Sequence, residues 1–128
     1  MSFGTKSIKE IPYNEIVEEA RKLANQLGTD FSKTALRRFH WIASTSMKEK
    51  DLQRLNWALN NARVQLAYFV GRRGGRGERQ LFNYLDAQLR EVINSIEKND
   101  ISSIKIQLRK IKLFLDALVA FTSLKRGG

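Results

Sequence analysis

The residues best suited to chemistry on a ligand lie in one short stretch, Gly71-Arg72-Arg73-Gly74-Gly75-Arg76-Gly77, with Arg79 just beyond. Arginine presents a planar, permanently charged fork that matches phosphate oxygens two at a time. Glycine lets the backbone turn sharply and come close to a ligand. Together they suit a phosphate-bearing partner, although a solvated loop that only ends a helix has the same composition. Other cations are spread along the chain. Arg37 and Trp41 stand at i and i+4, a spacing that lets a guanidinium stack on an indole, while Arg38 points one step round the helix. Arg54 and Arg63 are offset from the apolar positions around them and are expected to be exposed. Lys105, Arg109 and Lys112 form a row at i, i+4 and i+7, which Asp116 continues and partly neutralises. Lys125 and Arg126 add charge near the end.

Catalytic groups are scarce. His40 is the single histidine and cysteine is absent, so a thiolate metal site, a Cys/His pair and a multi-histidine site are all excluded. Few carboxylates lie among the central cations, which leaves a two-metal nuclease centre without ligands. The glycine-rich stretch follows a helical pattern and lacks the Gly-Lys-Ser/Thr ending of a phosphate-binding loop. A ribonuclease using His40 as general base is the remaining enzymatic reading. Against it, Lys33, Arg37, His40 and Ser44 share one polar helical face, where a histidine needs no special role. The chain is expected to be no enzyme, with no metal and no cofactor.

Charge defines the partner class. The 128 residues carry 23 Lys plus Arg and 13 Asp plus Glu, a formal charge of +10. Residues 31–79 hold eleven bases and three acids, so a polyanion-seeking surface comes mainly from the middle of the chain. Nucleic acid leads, and an anionic membrane surface is the rival. Cations scattered over helices, with no recognition-helix pattern, read phosphates rather than base edges. Binding is therefore expected to be sequence-independent and salt-sensitive. No apolar run reaches the length needed to span a bilayer, and Met1 to Lys9 lacks the apolar core of a signal peptide, which suggests a soluble, cytoplasmic protein.

The elements that must position these cations are helices throughout. Apolar residues recur at helical spacing between sparse glycines and the single proline, Pro12. A first helix runs from about Tyr13 to Leu27 with Gly28 as its stop, and a second starts at a Ser32 cap and carries Leu36, Phe39, Ile42 and Ala43 inward. The third bears a narrow seam of Leu52, Leu55, Leu59, Ala62, Leu66 and Phe69, ends at Gly71, and places Tyr68 with Phe69 toward the core. A fourth spans about Glu78 to Lys98, and a fifth, capped by Asp100 or Ser102, is apolar over a wide arc. Such a helix is either central or covered by another subunit. The expectation is one all-α domain over 1–128, a bundle of about five helices, with flexible ends at 1–12 and 126–128 and an Arg/Gly-rich loop at 71–78.

Three local motifs carry a resemblance over about residues 30–125. Ser32-Lys33-Thr34-Ala35-Leu36-Arg37-Arg38-Phe39-His40 resembles a "T/S-x-x-x-L/I-R-K/R-F-Y" helix start, with His40 where tyrosine is common. Gln65-Leu66-Ala67-Tyr68-Phe69-Val70-Gly71-Arg72 resembles "L-A-Y-x-x-G-R", and Leu115-Asp116-Ala117-Leu118-Val119-Ala120-Phe121 resembles "M-E-A-L-V-A-Y". In this order they are similar to the small helical subunit of the Csm complex, the type III-A CRISPR RNA-guided effector. The resemblance implies a non-catalytic subunit in antiviral defence. Its copies would stack into a filament beside other Csm subunits and face the duplex of guide RNA and target RNA. It carries RNA contacts onto Arg37, Arg38 and Arg72, and more loosely onto Lys125 and Arg126. It implies self-association along a filament, while the wide apolar arc of the last helix favours self-association of the free protein, a dimer being one form and a monomer the alternative. The small subunit of the related type III-B complex is the neighbouring alternative.

Overall fold

The computed structural model describes residues 7–27, 33–73 and 75–125, excepting the side chains of Lys33, Arg73 and Lys125. Five helices follow in order: α1 (Tyr13–Leu27), α2 (Lys33–Ser46), α3 (Leu52–Arg73), α4 (Arg76–Glu97) and α5 (Ile101–Lys125), with a 3-10 turn at Ile8–Glu10 before them. No strand occurs among the described residues. The protein is an all-α bundle. Gly28 and Ser32, the expected stop of the first helix and cap of the second, lie outside the described residues.

The wide apolar arc of α5 is explained within the chain. α5 packs against α1, α2, α4 and the N-terminal turn. Ile104, Ile111, Phe114, Leu115 and Leu118 are buried on it, and Leu113, Ala117 and Phe121 are half-buried. A helix contacted on this many sides needs apolar residues on more than one stripe. α3 packs between α2 and α4 through Leu55, Leu59, Ala62, Leu66 and Val70.

The turn from α4 into α5 is built from its polar residues. Asn99 adopts φ 56°, the left-handed conformation that asparagine tolerates better than most side chains. The Asn99 N–H donates to the Ile96 carbonyl at 3.0 Å and the Asp100 N–H to the Ser95 carbonyl at 2.9 Å, which satisfies the end of α4. Asp100 then caps α5 by accepting from the Ser103 N–H at 3.2 Å and the Ser103 hydroxyl at 2.7 Å. Those two bonds hold its carboxyl below the usual carboxylate range.

Two expectations are corrected. The Arg/Gly stretch is not a loop across 71–78: α3 continues through Gly71 to Arg73, and α4 begins at Arg76. Glycine in a helix is costly but not forbidden, and the wall of Leu66 and Val70 beneath keeps this end of α3 wound. The segment before the first helix is also packed from Ser7 on. Ile8 and Ile11 enter the core, and the Ile8 N–H donates to the buried Gln88 side chain at 3.1 Å. Lys110 of α5, itself buried, donates from Nζ to the carbonyls of Lys9 at 2.8 Å and Ile11 at 2.6 Å. Its ammonium also lies 5.2 Å from the Tyr13 ring centre. Residues 126–128 and 1–6, expected from the sequence to be flexible, lie outside the described residues.

Candidate nucleic-acid interface

α2 and α3 lie side by side and leave a continuous groove on their outer face. One part, about 650 Å³, is lined by Arg38 and Ile42 of α2 and by Val64, Gln65, Tyr68, Phe69 and Arg72 of α3. A second part, about 250 Å³, lies between Trp41 and Trp57 and shares Ile42 and Gln65 with the first. The α3 wall follows from spacing: Trp57, Val64, Tyr68 and Arg72 stand at i, i+7, i+11 and i+15, one stripe of a helix whose opposite seam faces the core. Tyr68 therefore points outward, 67% exposed, and not into the core as its neighbours suggest. Phe69 is half-buried and meets Phe39 edge-on at 5.9 Å.

Two guanidiniums lie over aromatic rings at this groove. Arg38 stands 5.6 Å from the Trp41 ring centre, and Arg72 stands 5.8 Å from that of Tyr68. The stacking partner of Trp41 is thus Arg38, at i−3, and not Arg37. Side chains on a helix lean toward its N-terminus, so i−3 and i−4 compete for the same ring, and here the nearer turn wins. Such stacking orients a guanidinium while leaving its edge N–H groups available.

The remaining site residues separate by what they touch. Arg37, Arg54, Arg76, Arg79, Lys105 and Arg109 are exposed and make no ion pair among the described residues. Arg76 and Arg79 open α4, which starts three positions past the α3 terminus that carries Arg72, so the cationic end of the sequence motif is kept at two helix ends. Arg63 departs from expectation. It is half-buried, with Nε donating to Asp86 Oδ1 at 2.7 Å and Nη1 to Asn60 Oδ1 at 3.2 Å, and it ties α3 to α4. Lys112 pairs with Asp116 at 2.9 Å, which the sequence row anticipated. Lys125 and Arg126, and the Arg73 side chain, lie outside the described residues.

His40 belongs to that second cluster. Its Nε2 meets Asp116 Oδ1 at 2.6 Å, joining α2 to α5. Burial alone pushes the Asp116 carboxyl up, but the bonds from His40 and Lys112 and the Lys112 charge outweigh it and leave it below the usual carboxylate range. Sequence reasoning did not find this pair, because seventy-six positions separate its members. It also missed Lys110, whose row of charged neighbours hides that its own position faces the N-terminal turn. Among the described residues no group of three or more His, Cys, Asp or Glu could hold a metal ion. No described helix is long and apolar enough to cross a membrane.

Comparison with known proteins places this helical chain. No curated protein and no solved structure matches it significantly. A family model, Csm2 Type III-A, matches residues 10–127 and so takes in every helix and all three motifs. The chain belongs to the Csm2 Type III-A family, the small subunits of the type III-A CRISPR complex.

Proposed function

We propose that this protein is a non-catalytic small subunit that holds RNA along a type III-A effector complex by sequence-independent contacts to the phosphate backbone. The observation that carries the reading is the set of exposed cations without an ion pair among the described residues: Arg38 and Arg72 at the α2/α3 groove, Arg37 beside it on α2, Arg76 and Arg79 at the start of α4, and Arg54 at the start of α3. Unpaired surface charge is what counterion release acts on; paired charge contributes little. Lys105 and Arg109 extend the cationic surface onto α5. Target RNA and the guide–target duplex are the partners this surface suits, and other Csm subunits supply the sequence reading and the cleavage. Copies of the subunit stack along the complex in the cytoplasm and contribute to antiviral defence.

Family membership and the engagement of His40 with Asp116 support a role without catalysis. A histidine that bridges two helices is accounted for by packing. The test is made in the assembled complex, purified with wild type or with Arg72→Ala/Arg73→Ala/Arg76→Ala. The substituted subunit is expected to assemble with its neighbours and to lower target-RNA retention by about tenfold or more, as the loss of three phosphate contacts should. Unchanged retention would overturn the assignment, and cleavage of RNA by the purified subunit that His40→Ala abolishes would restore the ribonuclease alternative.

A further inference from the structure

The groove between α2 and α3 has a feature that phosphate binding does not need. Of the seven large apolar side chains exposed among the described residues, four lie on this one face: Trp41, Trp57, Val64 and Tyr68. Trp57 is 70% exposed. A phosphate-only surface gains nothing from bare indole and phenol rings, and exposing them is unfavourable unless something covers them. Whatever covers them must also satisfy Arg38 and Arg72, which carry positive charge at the same groove with no carboxylate lining that part. Glu49, at the far end beside Trp57, is the one carboxylate that lines the second part among the described residues.

We propose that this groove is a stacking site for the unpaired bases of single-stranded RNA, with Trp41, Trp57 and Tyr68 taking base faces and Arg38 and Arg72 the adjoining phosphates. The inference rests on the RNA-binding reading and narrows it to single strands at this face. Charge complementarity selects the occupant. A single strand offers an anion and a flat apolar surface at every nucleotide, the same alternation the groove presents in cation and ring. A duplex has its base faces buried in its own stack, and only its phosphates and groove edges would meet the surface. From Trp57 to Tyr68 the α3 stripe runs about 16 Å, the length of a few nucleotides. Gly71, one turn beyond Tyr68, has open space where a Cβ would stand, so the helix presents no added bulk there.

Trp41 and Trp57 are the only tryptophans in the chain, so intrinsic tryptophan emission reports on this groove alone. The experiment titrates the full chain with oligouridine and with an RNA duplex of equal length, at low salt, while following that emission. Oligouridine is expected to quench it and the duplex to leave it nearly unchanged. Tyr68→Leu and Trp57→Leu, both at exposed positions, should each weaken single-strand binding about tenfold without altering the salt slope or the duplex affinity. Salt-sensitive RNA binding with unchanged emission and a neutral Tyr68→Leu would overturn the stacking site and leave the phosphate reading standing. Failure of both RNAs to bind at any salt would overturn the two together. An emission change that tracks protein concentration without RNA would assign the groove to a second copy and overturn the proposal.

Discussion

Arginines of similar sequence setting have different work in this protein, and their contacts say which. Arg63 is held by Asp86 and Asn60 between two helices, whereas Arg72 lies over an exposed ring with no ion pair among the described residues. Arg63→Ala should destabilise the fold by about 1–2 kcal/mol, since it leaves a half-buried carboxylate without its partner. Arg72→Ala should change stability by less than about 0.5 kcal/mol and act on RNA binding instead. Denaturant titration of both variants beside an RNA-binding assay separates the two roles. Asp116 makes a second residue-level prediction. Its folded-state pKa is depressed, so its contribution to stability is present above the ordinary carboxylate pKa, about 3.9, and is lost as pH falls through the lower folded value. The melting temperature of wild type should therefore fall more steeply than that of Asp116→Asn on acidification below about pH 4. Parallel curves would show the His40–Asp116–Lys112 cluster to be without consequence.

Elements were legible where periodicity alone decides them. α1 matches its expected bounds because Ile16, Ala20, Leu23, Ala24 and Leu27 make an unambiguous stripe between Pro12 and Gly28. The junction of α3 and α4 was not, because glycine marks a stop only when nothing beneath it keeps the helix wound. Gly71 continues α3 with no atom near the place of a Cβ, so Gly71→Ala should stabilise the protein by about 0.5–1 kcal/mol. A loss of stability would mean that α3 ends there after all. The N-terminal turn escaped for another reason. Ile8 and Ile11 are too few to show a period, and the residue that secures them, Lys110, lies a hundred positions away. Lys110→Met keeps the length of the side chain and removes its charged donors from two carbonyls. Urea unfolding should register a loss of about 2–3 kcal/mol, and truncation before Pro12 should cost a similar amount. No change in either would show that the turn does not add to the fold.

At the scale of the molecule, the sequence contained more of the charge balance than of the site. The cationic middle was plain from composition, and the helices around it from spacing. The aromatic side of the groove was hidden, because Tyr68 shares a motif with core residues and its orientation depends on which face of α3 meets α2 and α4. The molecule that results has a central α5 that holds the bundle together, an inner seam on α3, and an outer face on α2 and α3 where cations and rings stand open. The function proposed for it is RNA binding through the phosphate backbone without reading sequence. The most direct test is the equilibrium affinity of the full chain for two unrelated single-stranded RNAs of equal length across a salt series. Phosphate binding should give the same affinity for both within about threefold, and a log–log slope near −3, about −0.7 for each of some four cations engaged. An affinity indifferent to salt, or one confined to a single sequence, would contradict it.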